Sequence, residues 1–188
     1  MDLPAPLDAV DAALTAHFAH RPLRASVSFV GVDPIEVLRF EPIPGERAYV
    51  SLGMSRRPMT GADADIMNAD GPRAELMLHL RDEQDAFAEV WRQVAVLAAA
   101  PAVEGVVYRA GMTVDLGRPL ATGSGCTGAV VVESPLAAIE AVEVLQLVPA
   151  TQNELAWCRV HGSAELQQRW NDQETDVLDL GRRAVELS

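Results

Sequence analysis

Cysteine is scarce in this sequence, and so is positive charge. Only Cys126 and Cys158 occur in 188 residues. Neither belongs to a C-x-x-C pair, so no zinc knuckle or dithiol redox motif is encoded locally. A disulfide between them would need a geometry that spacing alone does not fix. Lysine and arginine total 15 against 27 aspartates and glutamates, a net charge of −12. Such a deficit argues against nucleic acid and anionic membranes as partners, since both require a basic patch. Long apolar runs are also missing. No stretch approaches the roughly 20 uninterrupted apolar residues of a membrane span. The opening Met1-Asp2-Leu3-Pro4 has neither the basic nor the apolar part of a secretory signal. A cytoplasmic protein is the simplest expectation. There is no internal repeat and no low-complexity tract.

Chemistry-bearing motifs are equally sparse. The four histidines, His17, His20, His79 and His161, stand in unrelated contexts, with no H-E-x-x-H ligand pair. No G-x-S-x-G elbow or P-loop occurs. Two segments imitate a site and fail on context. Asp63, Asp65, Asn68 and Asp70 before Gly71 suggest a calcium loop, but Met67 occupies the position where an EF-hand needs its fifth-place oxygen ligand. Gly123-Ser-Gly-Cys-Thr-Gly128 has G-x-G-x-x-G spacing. A dinucleotide site requires a helix after those glycines, with its N-terminus turned to the phosphates. Here Ala129 to Glu133 reads as a strand. The sequence therefore calls for no metal and no cofactor.

What is present is a clear alternation of patterns. Leu7, Val10, Leu14 and Phe18 recur at helical spacing over Pro6–Phe18. Strands are expected at Ala25–Val30, Ile35–Phe40 and Arg47–Leu52, the last two joined through a type II turn at Pro44-Gly45. Arg73 to Leu80 alternates cleanly: Ala74, Leu76, Leu78 and Leu80 share one face, and Arg73, Glu75, Met77 and His79 the other. Asp85 to Ala99 carries a helical stripe of Phe87, Val90, Trp91 and Val94, with Pro101 just past its end. A short strand follows at Gly111–Leu116, then strands at Ala129–Glu133 and Ala141–Val148, the last apolar enough to be central and closed by Pro149. Thr151-Gln-Asn-Glu154 is a capping box opening a helix to about His161, with Gly162 past its end. Ser163 is expected to cap a further helix through Trp170. Strands in succession without regular βα alternation argue for an α+β fold, a mixed and largely antiparallel sheet covered by helices, over a single domain of residues 1–188.

Several blocks in order resemble the suppressor of fused domain family: Tyr49-Val-Ser-Leu-Gly-Met-Ser55 with Pro58-Met59, Ala74-Glu-Leu-Met-Leu78, the Trp91 helix with Val96-Leu-Ala98, Gly111-Met-Thr-Val114, Pro119-Leu120, Val144-Leu-Gln-Leu-Val-Pro149 leading through Thr151 to Glu154-Leu155, and Asp179-Leu-Gly-Arg-Arg183. The shared order spans roughly 35–186. Two departures stand out. The family often has a tryptophan-proline pair entering the long helix, whereas Trp91 reads as internal to it, and Met112 follows Gly111 where a more polar residue is common. The resemblance implies a non-enzymatic protein-binding domain. Similar bacterial domains serve as immunity proteins that bind and block a toxin, and the animal relative clasps an extended peptide as an added strand. The animal members carry a second domain that binds transcription factors, and that activity is not expected of this chain.

A protein partner is thus expected, with a basic toxin as the partner that the acidic charge would suit. The binding surface is sought around Gly53 to Met59, with Met54, Ser55 and Met59 singled out there, and on the outward face Arg73, Glu75, Met77 and His79. Arg73 and Glu75 have a second reading as a buried structural pair. The alternatives are a small-ligand sensor, for which Met54, Met59 and Met77 would supply an adaptable surface, and an enzyme whose site is assembled from Glu75, His79 and Cys126 in a deep pocket.

Overall fold

The computed structural model describes residues 7–64, 69–83 and 85–187. Helix α1 (Leu7–Phe18) precedes three strands, β1 (Leu23–Phe29), β2 (Val32–Phe40) and β3 (Glu46–Leu52). A 3₁₀ turn at Met54–Arg56 leads to β4 (Arg73–Arg81), a second 3₁₀ turn at Ala88–Val90 to α2 (Trp91–Glu104). Then come β5 (Thr113–Asp115), β6 (Cys126–Glu133), β7 (Val142–Thr151), α3 (Gln152–His161) and α4 (Ser163–Asp172). The strands form one seven-stranded sheet in the order β1-β2-β3-β4-β7-β6-β5. The β4–β7 pair is parallel and every other pair antiparallel. The Pro44-Gly45 turn forms as expected, with Glu46 N–H donating to Ile43 O at 3.0 Å.

Period-two burial splits the sheet into two faces. Ile35, Val37, Tyr49, Ala74, Leu76, Leu78, Leu80, Val131 and Leu147 pack with Val90 of the 3₁₀ turn and with Val94, Leu97 and Ala98 of α2. Each fully buried leucine there stabilises the fold by about 1.5–3 kcal/mol. The opposite face holds Leu38, Phe40, Val50, Met77 and Val144 under Val10 and Leu14 of α1. Further along the same face, Val130, Val148 and Ala150 lie under Leu155 and Cys158 of α3 and Leu166 and Trp170 of α4. Helices thus cover both sides of a mixed sheet, the α+β arrangement the sequence implies.

Strand ends shift by one to three residues from expectation, as in β1, β2, β5 and β6, and four departures have a physical reason. Trp91 is the first residue of α2, not internal to it. The Asp82 carboxylate accepts the N–H groups of Ala86 and Phe87 at 2.7 and 3.1 Å, holding the chain out of the helix until the 3₁₀ turn ends. Pro101 lies inside α2, not past it. Proline has no N–H for the carbonyl four residues back, and the Tyr108 hydroxyl donates to that Leu97 carbonyl instead, at 2.8 Å. β7 runs through Pro149 to Thr151. Pairing with β4 stops at Leu147, so on that side Pro149 meets no ladder needing a donor. The residue capping α4 is Gly162, with no side-chain hydrogen bond; Ser163 is already helical. The capping box of α3 is complete, Thr151 Oγ1 accepting from Glu154 N and Glu154 Oε2 from Thr151 N.

The G-x-G-x-x-G segment enters β6, and its last glycine has a packing role. A Cβ on Gly128 would meet the Val114 carbonyl oxygen at 2.0 Å, so only glycine lets β5 approach β6 there. Asp65 to Asn68 of the acidic loop lie outside the described residues, as does Pro6. Both cysteines are free and buried, Cys126 on the α2 face and Cys158 on the α3 face. Among the described residues no helix is long and apolar enough to cross a membrane.

Candidate functional site

The backbone ladder between β3 and β4 ends at the Val50–Met77 pair, and side chains take over from there. Ser51 Oγ accepts from Leu76 N at 2.9 Å and donates to Glu75 Oε2 at 2.5 Å. Glu75 is wholly buried. Its Oε1 accepts from Gly53 N at 2.8 Å, Ser55 N at 3.0 Å and Ser55 Oγ at 2.7 Å. Arg73, two residues earlier on the same face, donates Nη1 to the Ser55 and Arg56 carbonyls at 2.8 and 2.7 Å. The turn is therefore gripped twice, its donors by a carboxylate and its acceptors by a guanidinium. Gly53 makes the geometry possible: its φ is +135°, and a Cβ would stand 3.0 Å from the Pro34 carbonyl oxygen. Burial without a cation pushes the Glu75 carboxyl above its ordinary value, and the donors of Ser51, Gly53 and Ser55 pull it partly back.

The gripped turn forms one wall of a cleft of about 230 Å³. The other walls are the β1–β2 hairpin at Gly31–Ile35 and the last turns of α2 at Ala98, Pro101 and Ala102. Met54 and Thr60 line it, and Arg56 and Arg57 stand exposed at its rim. Arg57 pairs with Asp33 at 3.4 Å between two largely exposed side chains. The arrangement offers an apolar floor with Arg56, Arg57 and Asp33 at its margin.

The expected site residues are distributed as follows. Met54 lines the cleft; Ser55 and Met59 are buried behind it. The face of Arg73, Glu75, Met77 and His79 is not outward as the alternation suggested, because α1 and the turn cover it: Glu75 and Met77 are buried. Arg73 and Glu75 do not pair with each other but hold the same turn from two sides. His79, at the far end of the strand, has Nε2 2.7 Å from Glu46 Oε2 and lines a shallow hollow with His17, Phe18 and Pro42. Glu75, His79 and Cys126 are not drawn together. Each is engaged with different neighbours, Cys126 N–H donating to Ser124 Oγ at 3.0 Å, and none of the three lines the cleft. Burial pushes the Cys126 thiol up to about 11, far from a reactive thiolate at neutral pH.

Sequence reasoning reached the Gly53–Met59 stretch but singled out Met54, Ser55 and Met59 in it, not the rim arginines. Arg56-Arg57-Pro58 directly after the glycine turn was the available signal, a cationic pair where the chain is otherwise acidic. It also passed over a second buried carboxylate. Glu154 receives both Arg182 terminal nitrogens at 2.7 and 2.8 Å, together with Val185 N at 3.0 Å and Trp170 Nε1 at 3.2 Å. Arg182 also donates to the Pro149 carbonyl at 2.9 Å, so the C-terminal segment is pinned to β7 and α3.

A seven-stranded mixed sheet with helices on both faces, and a gripped turn beside a cleft, defines an α+β domain. The profile of the family described as suppressor of fused protein (SUFU) matches residues 31–183. The chain belongs to that family. Among solved structures, a SUFU homologue from Neisseria gonorrhoeae FA 1090 is similar over 96% of this chain and 97% of its own, with a TM-score of 0.72 at 20% identity. A chain of the Sufu–Fu complex is similar over 97% of this chain and 92% of its own, with a TM-score of 0.67 at 16% identity. Drosophila Suppressor of Fused gives a TM-score of 0.65 at 16% identity, and this chain spans 51% of that protein. No curated protein matches the sequence.

Proposed function

We propose that this chain is a non-enzymatic protein-binding domain that holds and blocks a partner protein, in an immunity-like or regulatory role. The observation that carries the reading is the Gly53–Arg56 turn, fixed by Glu75 and Arg73 so that Met54, Arg56 and Arg57 are presented at an open cleft. A loop held by five side-chain hydrogen bonds loses little conformational freedom on binding. Membership of a family in which one relative is seen as a Sufu–Fu complex supports it. The net charge of −12 would steer a basic partner, such as a basic toxin, at long range.

The test is affinity capture of the tagged protein from its own cells at low and high salt, run beside an R56E/R57E variant. One dominant protein retained by the native chain and lost by the variant supports the reading. A native chain that retains nothing removes it, and a protein held equally by both moves the contact surface away from Arg56 and Arg57.

A further inference from the structure

Tyr49 stands opposite Arg39 in the β2–β3 ladder, on the face that α2 covers. The residue is buried, and its hydroxyl has no hydrogen bond among the described residues. A buried polar group without a partner costs stability, and nearly all such groups in folded proteins find one. Burial pushes the phenol above its ordinary value against the pull of the Arg39 guanidinium, so at neutral pH it is a protonated donor. Arg39 is itself only a donor and cannot take that proton. The nearby carboxylates are occupied. Asp82 accepts from the Ala86 and Phe87 amides at 2.7 and 3.1 Å. Asp85 accepts from Arg39 at 3.2 Å and lies 3.5 Å from Arg47 Nε.

Tyr49 also lines a hollow of about 220 Å³ whose apolar walls are Leu23, Ala25, Val37, Ala88 and Trp91. Two of those walls are alanines, one on β1 and one in the 3₁₀ turn that precedes α2, and they leave unfilled the space that larger side chains would take. Leu23 is 64% exposed and Trp91 is half-buried, so both keep apolar surface that a ligand could cover. An engineered apolar cavity of about 150 Å³ takes up benzene, so the hollow has room for one ring with a short substituent. Arg24 and Arg39 stand at its margin, and no carboxylate lines it. Neither guanidinium is free: Arg24 donates to Asp11 at 2.7 Å and to Glu36 at 3.2 Å, and Arg39 to Asp85. An anion would find no unspent positive charge there, and a cation would meet two guanidiniums and no counter-charge.

We infer that this hollow is a binding site for a small neutral molecule with a one-ring apolar body and one oxygen acceptor, which takes the hydrogen bond of the Tyr49 hydroxyl. The ring lies against Leu23 and Trp91, and the oxygen turns inward to Tyr49. The walls supply the affinity through covered apolar surface, and the hydroxyl supplies the selection for an acceptor. The hollow shares no lining residue with the cleft at Arg56 and Arg57. The inference therefore goes beyond the protein-binding reading and stands apart from it.

The test is an NMR titration of the isotope-labelled full-length protein with acetophenone, a neutral aryl ketone. Ethylbenzene, which lacks the acceptor, and benzoate, which carries a charge, are run beside it. Acetophenone is expected to give saturable shifts of the Trp91 indole N–H and of the Leu23, Ala25 and Tyr49 amides. Tyr49→Phe keeps the shape of the hollow and should weaken acetophenone about two- to tenfold, the worth of one hydrogen bond, while ethylbenzene binds the variant and the native chain alike. Ala25→Leu, which fills the hollow, should abolish binding of both. Tyr49→Phe should also keep or raise the urea midpoint, because it removes a buried polar atom that has no partner. A lowered midpoint would mean that an ordered water already satisfies the hydroxyl, and it overturns the inference. So does the absence of saturable shifts, or shifts centred on Met54 and Arg56 instead. Acetophenone binding untouched by Tyr49→Phe, or benzoate bound as tightly as acetophenone, overturns it as well.

Discussion

Two glutamates are wholly buried in this protein, and they are held by opposite means. Glu154 faces a cation: Arg182 meets it with two parallel hydrogen bonds. Burial raises its carboxyl, but the Arg182 bonds and the Val185 and Thr151 amides outweigh that, so it lies below its ordinary value. Glu75 has no such cation. It is satisfied by two hydroxyls and two backbone amides, and burial leaves its carboxyl raised. The difference matches what each one holds. Glu154 fastens a C-terminal segment across the ends of β7 and α3, a closure task in which charge–charge attraction serves. Glu75 shapes a tight turn, and only many short directional bonds define a turn's geometry. A cation in that place would hold the carboxylate without fixing Gly53 and Ser55.

The comparison breaks most visibly at Arg182. Removing one partner of a buried ion pair strands the other charge. Arg182→Met is therefore expected to destabilise by about 3–5 kcal/mol in urea unfolding, with amide exchange accelerating first around Leu180 to Val185. Adding Glu154→Gln to Arg182→Met should restore a substantial part of the loss. Arg182 also donates to the Arg183 carbonyl at 3.0 Å, and no recovery in the double variant would mean that the arginine acts through its bonds to the Pro149 and Arg183 carbonyls alone.

Glu75→Gln should cost less, about 1–3 kcal/mol, because the amide keeps the shape but offers a donor where the Gly53 and Ser55 donors need an acceptor. Its second readout is partner binding. If the turn positions Arg56 and Arg57, affinity falls along with stability. Unchanged stability with lost binding would instead make Glu75 part of the contact surface, contrary to its burial.

Much of this was legible in the sequence, and the gaps have physical causes. The β4 strand and the capping box at Thr151 are local patterns, and they fold as read, whereas the α2 stripe is helical only from Trp91, with Phe87 and Val90 before it. Gly53 as the end of β3 was visible for the same reason. The Glu154–Arg182 pair joins residues 28 apart, and no periodicity signals such a contact. Glu75 was placed on an outward face because alternation assigns a residue to a face without saying what covers it. Pro101 and Pro149 were read as terminators because proline lacks a donor. Each survives where that donor has nothing to do, or where Tyr108 supplies one.

Tyr108 gives a neutral yardstick for these charged cases. Its hydroxyl serves the Leu97 carbonyl that Pro101 leaves without an amide. Tyr108→Phe removes one neutral bond and should cost about 0.5–1.5 kcal/mol, read by urea midpoint at unchanged slope. A loss as large as that of Glu75→Gln would mean that the grip on the turn is no stronger than one ordinary hydrogen bond.

The finest separation of the two glutamates is by pH, because titration alters a side chain without deleting it. Glu75 has a raised folded value, so the folded state holds its proton more tightly than the unfolded chain does. Its contribution is fully present below the ordinary value of 4.5 and is lost as pH rises through the folded value. Glu154 has a lowered folded value, so its contribution is present above 4.5 and is lost as pH falls through the folded value. Glutamine does not titrate, so each effect can be read as a difference from wild type. The stability difference between wild type and Glu75→Gln should grow as pH is lowered from neutrality towards 4.5, and that for Glu154→Gln should shrink below it. Urea midpoints of the three proteins across that range test this. Two differences of the same slope would mean that Glu75 is held as an anion after all, with Arg73 acting through its two carbonyl bonds as the distant counter-charge.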